Sequence, residues 1–136
     1  MCSSDLSMDA ISFTGSQSGI LTDEAHANAR IVGVKPDRIR AALDAGQVVI
    51  VAGFQGVSPR TKEITTLGRG GSDTTAVALA AALGRARCEI YTDVDGIFTA
   101  DPRVVPGARL VPRMGYRSCS ALAHLGGRVQ IGRAHV

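Results

Sequence analysis

The fold is decided by the stretch TTLGRGGSD, residues 65–73, together with the segments that stand on each side of it. Before it, the run QVVIVAG at 47–53 is rich in β-branched residues, which predicts a buried strand. After it, residues 74–83 are mostly Ala and Leu and Gly84 follows, which predicts a helix ending at that glycine. The stretch is therefore a glycine-rich loop that delivers backbone N–H groups to a helix N-terminus, where the aligned peptide dipoles favour a bound anion.

Three side chains of this loop bear on that interpretation. Arg69 offers a forked cationic donor that suits a carboxylate or a phosphate, and Ser72 or Asp73 is a good helix N-cap. The alternative is purely structural, because Gly-Gly followed by Ser-Asp also serves any tight turn into a capped helix. The arginine and the strand–loop–helix setting favour the functional interpretation.

A second polar segment follows the next predicted strand. That strand covers residues 88–92, and Asp93 and Asp95 fall just past its end. Ligands of open α/β sheets gather at the carboxyl ends of strands, and paired carboxylates there can hold Mg²⁺-phosphate or nucleotide hydroxyls. The alternative is again a turn, because Asp-Gly at 95–96 and Asp-Pro at 101–102 are common turn pairs.

The remaining patterns alternate between strands and helices. We predict further strands at 10–14, 29–34 and 47–52, a short hairpin arm at 97–99, and helices at 36–45, 72–83 and 118–125. This alternation predicts an α/β fold with a mostly parallel sheet covered by helices. Residues 55–71 are predicted to form one long polar loop, and its length suggests a binding role.

The composition argues against several other classes of protein. The chain has 136 residues and a net charge of +3, with few aromatic residues among the basic ones, so we expect no nucleic-acid partner. We see no signal peptide and no apolar run long enough to span a membrane, so we expect no membrane partner and a cytoplasmic location. The three Cys lack a metal-type spacing, so reduced thiols are expected.

Two stretches carry a family resemblance: ITTLGRGGSD at 64–73 and YTDVDGIFTADPR at 91–103. In this order and spacing they resemble the aspartate kinase family, within the wider amino-acid kinase fold. ISFTGSQ at 11–17 and VAGFQGV at 51–57 also look like stretches of that family. The resemblance runs from about Asp9 to Val129, and it implies a partial amino-acid-kinase fold of three layers, αβα.

The resemblance implies a chemistry and a set of ligands. The family transfers the γ-phosphate of ATP, with Mg²⁺, to the side-chain carboxylate of L-aspartate, which gives 4-phospho-L-aspartate for lysine, threonine and methionine biosynthesis. Arg69 and Ser72 would hold L-aspartate. The N–H groups of Gly70 and Gly71 would face the transferring phosphate. Asp73 would be the catalytic residue, because it would position a lysine and organise the site.

The same resemblance places five residues around the nucleotide: Thr92, Asp93, Phe98, Arg103 and Arg128. Thr92 and Asp93 would contact the nucleotide, Phe98 would line it, and the remaining two arginines would lie near it. Arg128 stands where the family usually has Lys, a replacement that keeps the charge and changes the shape. No metal ligands are assigned.

Part of the family pattern is absent from this sequence. Aspartate kinases open with a strand that carries a Lys-Phe-Gly-Gly-Thr motif, and regulatory small-molecule-binding domains follow the kinase domain; neither occurs here. We therefore expect an inactive fragment of a parent enzyme that is a homo-oligomer. Two alternatives stay open: another enzyme of this fold, such as a uridylate or glutamate kinase, and a nucleotide-binding module without catalysis.

The two ends of the chain share a pattern at the level of DNA. IGRAHV at 131–136 can be encoded by ATC GGA AGA GCA CAC GTC, whose reverse complement reads Asp-Val-Cys-Ser-Ser-Asp. The chain begins with MCSSD at 1–5, which the same reverse complement encodes when GTG serves as the start codon. This DNA matches a sequencing-adapter sequence. We predict that residues 1–6 and 131–136 are adapter-derived and that residues 7–130 are the kinase-domain fragment.

Overall fold

The structure is a computed structural model of the chain, and it describes residues 8–84, 87–91 and 95–124. The described residues fall into two compact units, residues 8–84 in the first and residues 87–91 and 95–124 in the second. Within these ranges no helix is both long and apolar enough to cross a membrane. The predicted adapter-derived segments, 1–6 and 131–136, lie outside the described residues, and their assignment stays a prediction.

The first unit contains two groups of three strands, each followed by a helix, in agreement with the predicted α/β class. Its elements are β1 (Ala10–Phe13), β2 (Ile20–Thr22), β3 (Ile31–Val34), α1 (Asp37–Asp44), β4 (Val48–Val51), β5 (Gln55–Val57), β6 (Ile64–Thr66) and α2 (Gly71–Leu83). The second unit contributes α3 (Tyr116–His124). The strands predicted at 10–14, 29–34 and 47–52 and the helices predicted at 36–45 and 72–83 are confirmed, with ends that differ slightly.

The strands of the first unit form two sheets. β1 and β4 pair in parallel, with Ala10 opposite Val48 and Phe13 opposite Val51. The chain reaches β4 from β1 by a long path through α1, as a parallel pair requires. The second sheet has the order β3-β2-β5-β6, in which β2 and β5 pair in parallel and the two outer pairs are antiparallel.

The core of the first unit forms on one face of the β1–β4 pair. Side chains alternate between the two faces of each strand, so every second residue of β1 and β4 points to the same side. The buried cluster consists of Phe13, Ile39 and Ala42, and the partly buried side chains packed against it are Ile11, Val49, Val51, Leu79 and Leu83. This cluster joins α1 and the last turns of α2 to the β1–β4 pair.

The prediction of one long loop over residues 55–71 is wrong for much of that segment. β5 and β6 form an antiparallel hairpin there, in which Gly56 lies opposite Thr65. The sequence conceals the hairpin because QGV and ITT are too short to show an alternating apolar pattern. The two strands form because β2 also pairs with β5, which gives their backbone groups hydrogen-bond partners.

A buried pair of hydroxyl groups ties this hairpin to β2. The Oγ1 atoms of Thr22 on β2 and Thr65 on β6 lie 2.6 Å apart and share a hydrogen bond, although β5 runs between their strands. Gly56 of β5 permits this contact, because a Cβ at that position would lie 2.5 Å from Cγ2 of Thr22. Both hydroxyls are buried, and burial of a hydroxyl is costly unless it is hydrogen-bonded, so the bond helps to fix the position of β6.

Three predictions fall in the second unit. The strand predicted at 88–92 is wrong for residues 88–91, which form no strand, and Thr92 lies outside the described residues. Cys88 is buried as its apolar pattern suggests, but burial alone does not make a strand without a pairing partner. The helix predicted at 118–125 begins earlier, at Tyr116, and its last predicted residue lies outside the described range. The arm at 97–99 is supported by an antiparallel bridge between Phe98 and Leu110.

We expect Gly56→Ala to lower the free energy of unfolding by ~1–3 kcal/mol, because the new methyl group overpacks the space beside Thr22. Gly33→Ala is the matched control, since it lies in the same sheet and its Cβ would come no closer than 4.0 Å to Leu21 Cδ1. Urea unfolding of both variants measures the difference. Equal midpoints for the two variants would contradict the role assigned to Gly56.

Candidate functional site

The glycine-rich loop lies where the parallel β1–β4 pair ends. β4 ends at Val51, and the turn Ala52–Phe54 follows it directly. Gly53 in this turn comes so close to α2 that a Cβ there would lie 2.9 Å from Cβ of Ser72. The N-terminus of α2 therefore meets the carboxyl ends of parallel strands, which is where α/β sheets bind their ligands.

The start of α2 differs from the prediction. Neither Ser72 nor Asp73 is the N-cap, because Gly70 occupies that position with φ at 73° and no side-chain cap hydrogen bond forms. Glycine adopts this left-handed conformation without the steric cost that other residues meet, so backbone geometry alone turns the loop into the helix. The side chains of Ser72 and Asp73 are therefore not used to cap the helix and are available to other partners.

Backbone N–H groups are available at this helix start. The first N–H groups of a helix have no intrahelical acceptor. Those of Gly70, Ser72 and Asp73 have no acceptor among the described residues, whereas the N–H of Gly71 donates to the carbonyl oxygen of Gly68 at 3.2 Å. Together with the helix dipole, the available groups favour an anion beside the loop.

The loop brings together the side chains predicted to serve aspartate and catalysis. Arg69 and Ser72 are exposed, and Asp73 is half-buried. Within the described part of the chain these three side chains form no hydrogen bond or ion pair. A guanidinium, a hydroxyl and a carboxylate are thus available to a ligand next to the N–H groups of the same helix start.

The turn after β4 holds the loop, a function that the sequence did not indicate. The N–H of Leu67 donates to the carbonyl oxygen of Phe54 at 2.9 Å. A Cβ at Gly71 would lie 2.8 Å from Cβ of Leu67 and 2.9 Å from Cβ of Phe54. The only sequence signal for this contact is the placement of glycines at 53 and 71, because glycine allows such a close approach.

A second supporting segment, Asp23–Arg30, was also missed. The N–H and the hydroxyl of Thr66 both donate to the carbonyl oxygen of His26, at 3.1 and 3.0 Å. Asn28 has φ of 59°, and a Cβ at Gly68 would lie 2.1 Å from its Oδ1 atom. The segment therefore contacts the chain immediately before the Arg69 turn, and only its small, polar composition marks it as a loop in the sequence.

Three of the five predicted nucleotide residues lie outside the described residues: Thr92, Asp93 and Arg128. Phe98 is half-buried and forms the bridge to Leu110 in the second unit. Arg103 is exposed, and its backbone N–H donates to Oδ1 of Asp101 at 2.9 Å. Phe98 and Arg103 therefore share the segment that this bridge closes.

The described residues contain no group of three or more side chains that could hold a metal ion. Of the two carboxylates expected near a nucleotide, Asp95 is exposed and Asp93 lies outside the described residues. Mg²⁺ usually binds through one or two carboxylates together with substrate phosphates. Asp95 is a described carboxylate of the kind that can accompany a nucleotide-bound Mg²⁺.

The comparison with known families agrees with this geometry. The model described as the amino acid kinase family matches residues 2–132. The chain belongs to the amino acid kinase family. The match and the solved structures of the fold confirm the predicted partial αβα amino-acid-kinase fold.

Relatives of this chain are aspartokinases and other kinases of the fold. The chain is 58% identical to the aspartokinase of Corynebacterium efficiens over 134 residues, which cover 98% of this chain and 32% of that protein. A solved structure of E. coli aspartokinase III with aspartate and ADP is 35% identical, with a TM-score of 0.65 over 86% of this chain and 27% of the other. An isopentenyl phosphate kinase structure is 28% identical, with a TM-score of 0.60 over 88% of this chain and 44% of the other.

The chain spans about a third of the length of the curated relatives it matches.

We expect Gly71→Ala to destabilise the protein by ~1–3 kcal/mol through overpacking against Leu67 and Phe54. This cost exceeds the gain of up to ~1 kcal/mol that alanine brings to a helix interior. Ser72→Ala is the control, because Ser72 is exposed and surface changes usually stay within ~0.5 kcal/mol. Chemical denaturation compares the variants, and a Gly71→Ala protein more stable than the wild type would refute the close-packing argument.

Proposed function

We propose that the protein containing this chain transfers the γ-phosphate of ATP to the side-chain carboxylate of L-aspartate and so produces 4-phospho-L-aspartate. The observation that carries the proposal is one loop that presents Arg69, Ser72 and available N–H groups at a helix start. The 58% identity to an aspartokinase supports aspartate as the acceptor, and the likeness to aspartokinase III with aspartate and ADP supports ATP as the donor.

The chemistry requires two anions to be held together while charge moves between them. The guanidinium of Arg69 suits a carboxylate of aspartate, because its planar fork can donate two parallel hydrogen bonds. The hydroxyl of Ser72 adds a donor to the same substrate. The N–H groups of Gly70 and Gly71 would face the transferring phosphate, and the long bond from Gly71 to Gly68 would then be shared or exchanged.

Asp73 would organise the site rather than act as a base. The acceptor carboxylate of aspartate is already ionised at neutral pH and needs no base to activate it. The half-buried carboxylate of Asp73 would instead hold the ammonium group of the lysine in the family's Lys-Phe-Gly-Gly-Thr motif, which the given sequence does not contain. That lysine would bridge the phosphate in transfer.

The nucleotide would be bound by Thr92, Asp93, Phe98, Arg103 and Arg128. Mg²⁺, when bound with ATP, would neutralise phosphate charge, and Asp93 and Asp95 are carboxylates of the right chemistry to accompany it.

We extend the proposal to a cytoplasmic homo-oligomer that serves amino-acid biosynthesis, on the basis of the family resemblance. Acceptor identity is the open question, because other kinases of this fold phosphorylate different groups.

The acceptor can be tested on the full-length protein with a coupled assay of ADP release. We expect turnover with L-aspartate and none above background with L-glutamate or uridylate. Turnover with one of these instead would assign another kinase of the fold. A protein that binds ATP and turns over no acceptor would be a nucleotide-binding module without catalysis.

Arg69→Gln should lower kcat/KM for L-aspartate by ~10- to 100-fold, because a charged hydrogen-bond donor to the substrate is lost. The control is Arg60→Gln, which removes an exposed arginine paired with Glu24, a contact of little energetic weight. The same assay measures both variants. Aspartate kinetics unchanged by Arg69→Gln would remove this residue from the acceptor site.

Asp73→Ala should reduce kcat far more than it raises KM for ATP, because its assigned work is to position the lysine in the transition state. The control is Asp44→Ala, which also removes a carboxylate but at an exposed position in α1. Steady-state kinetics with ATP varied at saturating aspartate separate the two parameters. A kcat equal to that of the wild type would count against the role given to Asp73.

A further inference from the structure

The buried hydroxyl of Thr75 connects the helix start to the turn after β4. Thr75 lies in α2 and is 3% exposed. Its Oγ1 donates to the carbonyl oxygen of Gly71 at 2.8 Å and accepts from the N–H of Phe54 at 3.2 Å. One side chain therefore uses both its proton and a lone pair to join two segments that are 21 residues apart.

The backbone of Phe54 needs such support. Its φ of 56° lies in the left-handed region, which residues other than glycine rarely adopt and which persists only where the surroundings hold it. The N–H of Phe54 donates to Thr75, and its carbonyl oxygen accepts from the N–H of Leu67 at 2.9 Å. Phe54 is thus fixed on one side by α2 and on the other by the glycine-rich loop.

The contact between the turn and the helix leaves little room for movement. A Cβ at Gly53 would lie 2.9 Å from Cβ and 3.1 Å from Cα of Ser72. A shift of the turn relative to α2 would consequently move Ser72 or open a gap beside it. Because Ser72 is adjacent to the N–H groups of the helix start, such a shift would alter the geometry presented to a ligand.

We propose that Thr75 is a positioning residue for the acceptor site: its hydroxyl holds the turn Ala52–Phe54 against the first turn of α2 and so sets Ser72 and Arg69 for one substrate. This inference rests on the proposed phosphoryl transfer to aspartate. Thr75 itself does not touch the substrate. Its bond to Gly71 alone would be the ordinary contact of a helical threonine with the carbonyl four residues earlier, and the bond from Phe54 distinguishes it.

The neighbouring Thr74 provides a matched control. Its Oγ1 donates to the carbonyl oxygen of Gly70 at 3.1 Å, the same bond four residues back, but it is exposed and accepts nothing from the turn. Thr75→Val removes the hydroxyl and nearly keeps the shape, Thr75→Ser keeps the hydroxyl, and Thr74→Val removes the equivalent helical bond only.

The test uses the full-length protein. We expect Thr75→Val to lower kcat/KM for L-aspartate by ~10- to 100-fold with KM for ATP nearly unchanged, since small displacements of a positioned group cost rates of this size. Thr75→Ser should restore the wild-type value, and Thr74→Val should match the wild type. Amide hydrogen exchange at Phe54 should accelerate in Thr75→Val and not in Thr75→Ser.

Two results would overturn the inference: aspartate kinetics in Thr75→Val equal to the wild type, or a Thr75→Ser protein as impaired as Thr75→Val. If Thr75→Val does not fold, the amide hydrogen exchange rate of Phe54 in the wild-type protein tests the bond instead. A Phe54 amide that exchanges as fast as one in an unstructured chain would refute the bond to Thr75. A wild-type protein without aspartate turnover would refute the proposed function separately, while the exchange rates would still decide whether Thr75 holds the turn.

Discussion

The site depends on the contact between the turn Ala52–Phe54 and the first turn of α2. The parallel β1–β4 pair fixes the turn, because the chain leaves the sheet there at the carboxyl end of β4. The core around Phe13 fixes the other end of the helix through Leu79 and Leu83. With the helix held at both ends, the glycine-rich loop that precedes it has little freedom, and its polar groups keep a defined arrangement.

The division of α2 into a polar start and an apolar body follows from this arrangement. The body packs on the core, and tertiary packing supplies most of the stability of such a helix. The start buries Gly71 and Thr75 against the turn after β4, whereas Ser72 stays exposed there and Arg69 stands exposed just before the helix. Because Gly70 caps the helix by its conformation alone, no side chain in the described part of the chain accepts from the N–H groups that an anion would need.

The amino acid kinase fold does not by itself select the acceptor. Its members include both an aspartokinase 58% identical to this chain and an isopentenyl phosphate kinase 28% identical to it. Selectivity must therefore lie in the side chains mounted on the fold and in the contacts that orient them. Buried hydroxyls add directional bonds that fix backbone segments more precisely than apolar packing alone: the Thr22–Thr65 pair joins β2 to β6, and Thr75 joins α2 to the turn after β4.

Elements whose signal is local could be predicted from the sequence. The β-branched run of β4 and the alanine-rich body of α2 carry their own conformational preferences, and the stretches at 64–73 and 91–103 together indicated the family. Local sequence patterns could not predict the β5–β6 hairpin, the cap at Gly70 or the absence of a strand over residues 87–91. Each of these depends on partners elsewhere in the chain, such as Thr22 and Thr65, which are 43 residues apart and meet only when the sheet has formed.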